Sequence, residues 1–199
     1  MSAVSSHEAI GTPHTATGLD NRKLGMWAFL GSECLFFGAL ISSYLLYRGR
    51  SLVPPYPEQI YDIPYTSVSS FVLLMSSLTM VLALNSIQRG DQRKLRAWLL
   101  ATALLGITFV GGQVFEFTVF VGHGLTLSRN LFGSSFFVLT GFHGAHVTVG
   151  ILMLLTLYGQ SLAGRLPVEN ALRVELVGLY WHFVDVVWIV IFTIVYLIP

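Results

Sequence analysis

Apolar residues gather into five long blocks, about 24–47, 66–88, 95–120, 133–158 and 176–198. Crossing a hydrocarbon core of about 30 Å takes roughly 20 apolar residues of helix, and every block is long enough. The pattern predicts an all-α integral membrane bundle of five transmembrane helices over residues 22–199, preceded by a polar tail over 1–21. The tail is rich in Ser, Thr, Ala and Gly and lacks the apolar run of a cleavable signal peptide. Between the first two blocks, Arg48 to Tyr65 carries Pro54, Pro55, Pro57 and Pro64 and is expected to be a surface segment, because proline at that density resists helix. Short links among the last four blocks predict antiparallel neighbours. No internal repeat of the kind found in secondary transporters is evident.

Composition agrees with the pattern and adds direction. Only 11% of the 199 residues are charged, where a soluble domain carries about 25%, and the mean hydropathy is +0.70. Eleven Lys and Arg against ten Asp and Glu leave no basic surface that would neutralise a run of phosphates, so nucleic acid is not expected as a partner. The single cysteine, Cys34, precludes an internal disulfide and any multi-cysteine metal site, and reads as a small packing residue. With the N-terminus inside, Arg22, Lys23, Arg89, Arg93, Lys94, Arg96, Arg165 and Arg173 fall on the cytoplasmic side, and only Arg48, Arg50 and Arg129 outside. That bias predicts N-terminus in and C-terminus out.

Helices in lipid associate through close approach and polar contacts, so small residues mark interfaces. Ser67, Ser69, Ser70, Ser76, Ser77 and Thr79 in the second block are therefore read as packing positions. So are Gly133, Ser134, Ser135, Gly141, Gly144, Ala145 and Gly150 in the fourth, with Gly141 and Ala145 four apart. No catalytic residue is assigned. The run Gly133-Ser134-Ser135-Phe136 lacks the second glycine that a nucleophilic serine turn would need.

Ionisable groups in lipid are costly and are functional candidates by default. Six stand inside the spans: Glu33, Glu116, His143, His146, His182 and Asp185. Gln113 with Glu116, His143 with His146, and His182 with Asp185 are each three apart, which predicts three pairs, each on one helix face. Glu33 lies near the middle of its helix and is expected to keep its proton unless a histidine of another helix pairs with it. His143 and His146 lie at similar depth. His182 and Asp185 are expected in the cytoplasmic half of the last helix, and Glu116 toward the outer end of the third. Three readings stay open: a hydrogen-bond network that fixes register, a metal site, and proton handling. The metal reading suffers because carboxylate-bridged di-metal bundles use Glu-x-x-His on two helices and four carboxylates. No metal ligand is assigned.

Four strings carry a resemblance. The first helix reads Trp27-Ala-Phe-Leu-Gly-Ser-Glu33-Cys-Leu-Phe36-Phe37, and the third ends Gly112-Gln113-Val-Phe-Glu116-Phe117. The fourth contains Thr140-Gly141-Phe142-His143-Gly144-Ala-His146, and the last Tyr180-Trp181-His182-Phe183-Val184-Asp185-Val186-Val187-Trp188. In this order they resemble subunit III of the haem–copper oxidases, most closely the short bacterial form of cytochrome c oxidase subunit III. The resemblance implies a multi-pass subunit of the bacterial plasma membrane that assembles with catalytic subunit I and copper-bearing subunit II, and in a respiratory supercomplex. It makes Glu33 the family's embedded carboxylate, associated with carbodiimide reactivity and with proton uptake by the catalytic subunit. Phe36, Phe37, Gln113, Gly141, Phe142, Gly144, Tyr180, Trp181 and Trp188 are the other signature positions.

Haem and copper are implied in the partner subunits, not in this chain. Composition points the same way: a haem–copper subunit spends six histidines on ligation, and only three lie in these spans, with His7 and His14 in the tail and His123 in a loop. Membrane lipid is also implied. Seven-helix members hold phospholipid in a cleft between their first two helices and the other five, and those two helices are not among the five blocks. The expected role is a non-catalytic subunit of a proton-pumping terminal oxidase that reduces oxygen to water, stabilising the catalytic subunit and supporting its proton uptake. Alternatives are a quinol oxidase or nitric-oxide-reductase-associated homologue, and a free-standing proton or ion carrier.

Overall fold

The computed structural model describes residues 20–48, 50 and 61–198. The rest of the tail and of the proline-rich segment, with Pro54, Pro55 and Pro57, lies outside the described residues. All regular structure among the described residues is helical. It comprises α1 (Asn21–Tyr47), α2 (Ile63–Gln88), α3 (Gln92–Gly122), α4 (Leu131–Leu162) and α5 (Ala171–Phe192). A short 3-10 turn, Val168–Asn170, leads into α5, and a π turn, Thr193–Leu197, continues it. Among the described residues, five spans are long and apolar enough to cross a membrane.

Each of the first four helices starts two or three residues before its apolar block. The reason is capping. Asp20, Asp62, Asp91 and Asn130 accept hydrogen bonds from the backbone N–H of Arg22, Tyr65, Lys94 and Gly133 respectively, so the helix begins in its polar first turn, where the membrane surface is. Pro64 belongs to this first turn of α2 rather than to the surface segment, because a proline there gives up only an N–H that has no intrahelical partner. Gly90 and Gly124, at φ 73° and 85°, turn the chain after α2 and α3, a left-handed conformation that glycine adopts without a Cβ clash.

Helices α2, α3, α4 and α5 form a closed ring, each packed against its neighbours, and α1 lies outside it against α4 and α5. Both ends of α1 are tied to the α5 segment. Lys23 Nζ lies 2.6 Å from Glu175 Oε1 at one end, and at the other Arg48 donates to the carbonyl oxygens of Ile194 and Ile198. The core is aromatic at the Arg48 end, where Phe120, Phe132, Phe136, Tyr61 and Tyr196 pack together. Trp181 fills the middle.

Candidate functional site

The six ionisable residues do not form one network. They fall into three separate contacts and one isolated ring.

The first contact joins α1 to α4. Glu33 Oε2 lies 3.2 Å from His146 Nε2, and both side chains are about five-sixths buried (17% and 18% exposed). His146 Nδ1 is 2.7 Å from the Phe142 carbonyl oxygen. A carbonyl only accepts, so Nδ1 is assigned the hydrogen. Nε2 and Glu33 then share a single proton: either the carboxyl O–H donates to Nε2, or an imidazolium N–H donates to the carboxylate. Both forms leave the pair neutral, the least costly state for ionisable groups at a lipid-facing seam. Phe37 meets the imidazole edge-on at a centroid distance of 5.0 Å, and Phe36 packs at 6.1 Å from it and 5.2 Å from Phe142. Phe36 and Phe37 thus pack against the imidazole, and Phe142 extends the cluster through Phe36. Tyr180 donates to the His146 carbonyl oxygen at 3.0 Å, holding α5 to the same turn of α4.

His143 points elsewhere. Residues three apart differ by 60° around a helix axis, and α4 is packed on several sides, so that angle is enough to send the two histidines into different seams. His143 is fully buried, stacked on Trp188 at 4.8 Å and edge-on to Phe109 at 5.8 Å. The expected shared face of His143 and His146 is therefore corrected. Gly141 and Ala145, expected at a helix interface, point away from the bundle: a Cβ on Gly141 would meet nothing within 4 Å, and Ala145 is exposed. Cys34 is likewise exposed on α1 rather than packed within the chain.

The second contact joins α2 to α5. His182 and Asp185 do share a face, and both reach Ser77. The Ser77 hydroxyl donates to Asp185 Oδ2 and lies 3.0 Å from His182 Nδ1. One hydroxyl has one proton, so His182 Nδ1–H donates to Ser77 Oγ. This geometry is not that of a nucleophile with its base, since His182 donates to the serine and its contact with Asp185 runs through that serine. Because α5 begins at Ala171, before the expected 176, these residues stand at the middle of the bundle rather than in its cytoplasmic half. Beside them the Trp181 indole donates to Ser76 Oγ at 2.9 Å, and about two turns along the Trp188 indole donates to Ser70 Oγ at 2.8 Å.

The third contact joins α2, α3 and the chain's C-terminal turn. Glu116 Oε1 accepts from Thr66 Oγ1 at 2.8 Å and from Tyr196 O–H at 3.1 Å. Gln113, on the same face, donates to the Thr140 carbonyl oxygen of α4 at 2.6 Å. Its amide passes directly over Gly144, where a Cβ would stand 2.5 Å from Oε1. Thr66, Ser70, Ser76, Ser77 and Tyr196 had no assigned partners from sequence. A usable signal was present: an indole N–H in lipid requires an acceptor, and the serine row of α2 is the richest supply of acceptors in the chain.

Among the described residues no three His, Cys, Asp or Glu side chains converge as a metal-binding group. Ser134 and Ser135 donate to the carbonyl oxygens of Leu127 and Leu131.

The family model for cytochrome c oxidase subunit III matches residues 2–198. The chain belongs to the cytochrome c oxidase subunit III family. It is 38% identical over 177 residues to cytochrome c oxidase subunit 3 of Bacillus sp. (strain PS3), covering 89% of this chain and 86% of that one. It is also 38% identical to cytochrome bo(3) ubiquinol oxidase subunit 3 of Pseudomonas aeruginosa, over 89% of this chain and 85% of that one. With quinol oxidase subunit 3 of Bacillus subtilis the identity is again 38%, over 87% and 85%. The chain is thus subunit III of a haem–copper oxidase, a multi-pass protein of the bacterial plasma membrane and part of an oxidoreductase complex. In this subunit III, the contacts above link α1 to α4, α2 to α5 and α3 to both α2 and α4.

Proposed function

We propose that this subunit belongs to a proton-pumping cytochrome c oxidase, that it carries no redox centre itself, and that it stabilises the catalytic subunit and supports its proton uptake. Haem and copper then reside in subunits I and II, its partners in the membrane and in any respiratory supercomplex. The observation that carries the reading is the Glu33–His146 pair, two ionisable groups kept neutral together by one shared proton at a lipid-facing seam. Within such a pair the proton can pass between carboxyl and imidazole without creating net charge in lipid. Relatives named as quinol oxidase subunits are equally similar, so a quinol donor is the second reading. Purification from the native membrane tests both. The subunit is expected to co-purify with a larger haem-bearing chain and a copper-bearing chain, and the complex to oxidise cytochrome c. Quinol oxidation without a copper-bearing chain would select the second reading, and isolation without haem would remove both. In the same complex, Glu33→Gln is expected to keep turnover and pumping while weakening sustained proton supply. Complete loss of both activities in an assembled complex would make Glu33 an obligatory relay instead.

The N-terminus is proposed to face the cytoplasm, on the eight-to-three bias of Lys and Arg. Single cysteines introduced at Pro55 and Arg93, in a Cys34→Ala background, are expected to label from the outer and cytoplasmic sides respectively. Labelling of both from one side overturns the topology.

A further inference from the structure

One groove lies apart from all the contacts described above. On the side of the ring away from α1, the C-terminal end of α2 and the N-terminal end of α3 enclose a groove of about 360 Å³, lined by Leu82, Asn85, Ser86, Arg89, Asp91, Lys94 and Trp98. Its backbone carbonyls and its carboxylate are already engaged. The Asn85, Ser86 and Ile87 carbonyl oxygens accept from the N–H groups of Arg89, Asp91 and Gly90, and Ser86 Oγ donates to the Leu82 carbonyl oxygen. Asp91 accepts the Lys94 backbone N–H at 3.0 Å and faces Lys94 Nζ at 3.2 Å, contacts that hold its carboxyl below the usual carboxylate range. Its donors are not used. Among the described residues neither the Arg89 guanidinium, nor the Asn85 amide, nor the Trp98 indole N–H has a hydrogen-bond or ion-pair partner.

Three free donors and a net charge of one positive, from Arg89 and Lys94 against Asp91, describe a receptor for a singly charged anion with several acceptor oxygens. Trp98 stands six residues into α3, about 9 Å below its start, at the depth where an indole sits between headgroup and acyl chain. Leu82 and the Trp98 ring supply an apolar wall below the donors. We propose that this groove binds the phosphodiester headgroup of an anionic phospholipid, with Arg89, Asn85 and Trp98 donating to its phosphate and glycerol oxygens. The site is separate from the lipid cleft that the seven-helix members suggest, and it does not depend on which oxidase the subunit serves.

The test uses the protein as purified, with whatever subunits accompany it, in nanodiscs of phosphatidylcholine containing phosphatidylglycerol. Native mass spectrometry after release counts retained lipid, and a parallel arm offers inorganic phosphate in detergent. Phosphatidylglycerol is expected to be retained selectively. Arg89→Gln is expected to lower its retention about fivefold, the factor for one interfacial cation. Trp98→Phe, which changes no charge and keeps the ring, is expected to lower it several-fold, whereas Arg165→Gln, exposed at the same end, leaves it within about twofold. If Trp98→Phe has no effect, or Arg165→Gln equals Arg89→Gln, retention is diffuse surface attraction and the site is overturned. If inorganic phosphate binds with dependence on Arg89 and Trp98 while phosphatidylglycerol is not retained, the groove takes a soluble anion and the lipid assignment fails.

Discussion

Gly150→Ala is expected to cost the folded bundle about 1–3 kcal/mol, the usual range for forcing one methyl into a filled core, although the same change at an ordinary helix position is favourable. A Cβ at Gly150 would stand 2.7 Å from Trp181 Cε3 and 2.8 Å from Cζ3. On the opposite side of the same ring, a Cβ at Gly106 would stand 2.6 Å from Cη2. The indole is thus inserted between α3 and α4 through two glycine gaps, while its N–H is fixed to Ser76 of α2. It has no direction in which to retreat without giving up that hydrogen bond in a dry interior. Gly106→Ala should cost a similar amount. The double variant should cost less than the sum, because one displaced ring relieves both clashes. Unfolding of the purified protein in mixed detergent micelles, followed by circular dichroism, measures these differences. Gly159→Ala is the control, since its Cβ meets nothing within 4 Å. Equal stability of the Gly150 and Gly159 variants would show that the Trp181 slot is not a determinant of the fold.

The second large effect is expected at Ser77. Its hydroxyl is the only link between His182 and Asp185 that the structure shows, and Asp185 is 97% buried with Oδ1 already lacking a partner among the described residues. Ser77→Ala leaves the carboxyl without any hydrogen bond and His182 without its acceptor, so a loss of about 2–3 kcal/mol is expected. Removing the carboxyl as well, in Ser77→Ala with Asp185→Ala, should recover part of that loss. An orphaned polar group in a core costs more than the small void its removal leaves. The same micelle unfolding assay closes this double-mutant cycle. A double variant less stable than Ser77→Ala by the full cost of Asp185→Ala alone would mean that the two residues act independently.

How far the sequence reached is clearest in particular residues. That Glu33 would keep its proton unless a histidine of another helix met it followed from its place in the apolar block and the cost of charge in lipid, but which histidine it meets did not. His143 and His146 differ by only 60° on α4. The choice between them rests on where α1 packs, and α1 is attached to α4 through space, not through sequence. The helices begin two to three residues before the apolar runs because those runs record lipid contact, whereas Asp62 and Asp91 begin their helices in the polar surface layer. The groove at Arg89 and Trp98 was also hidden, since it exists only where two helix ends meet.

By itself the sequence determined that this is an all-helical membrane protein with five apolar spans among the described residues, and it singled out the few ionisable side chains within them. Both follow from one-dimensional quantities, the length of apolar runs and the transfer cost of charge. Its four signature strings also determined the family. Only the tertiary structure decided the partners. Serines from α2 serve the indoles, histidine and aspartate of α5, one histidine pairs with Glu33 while its neighbour lies among aromatic rings, and two glycines admit a tryptophan. In lipid, where apolar burial does not favour one helix face over another, hydrogen bonds and steric gaps distinguish the packings, and both depend on distances between helices that no run of residues encodes.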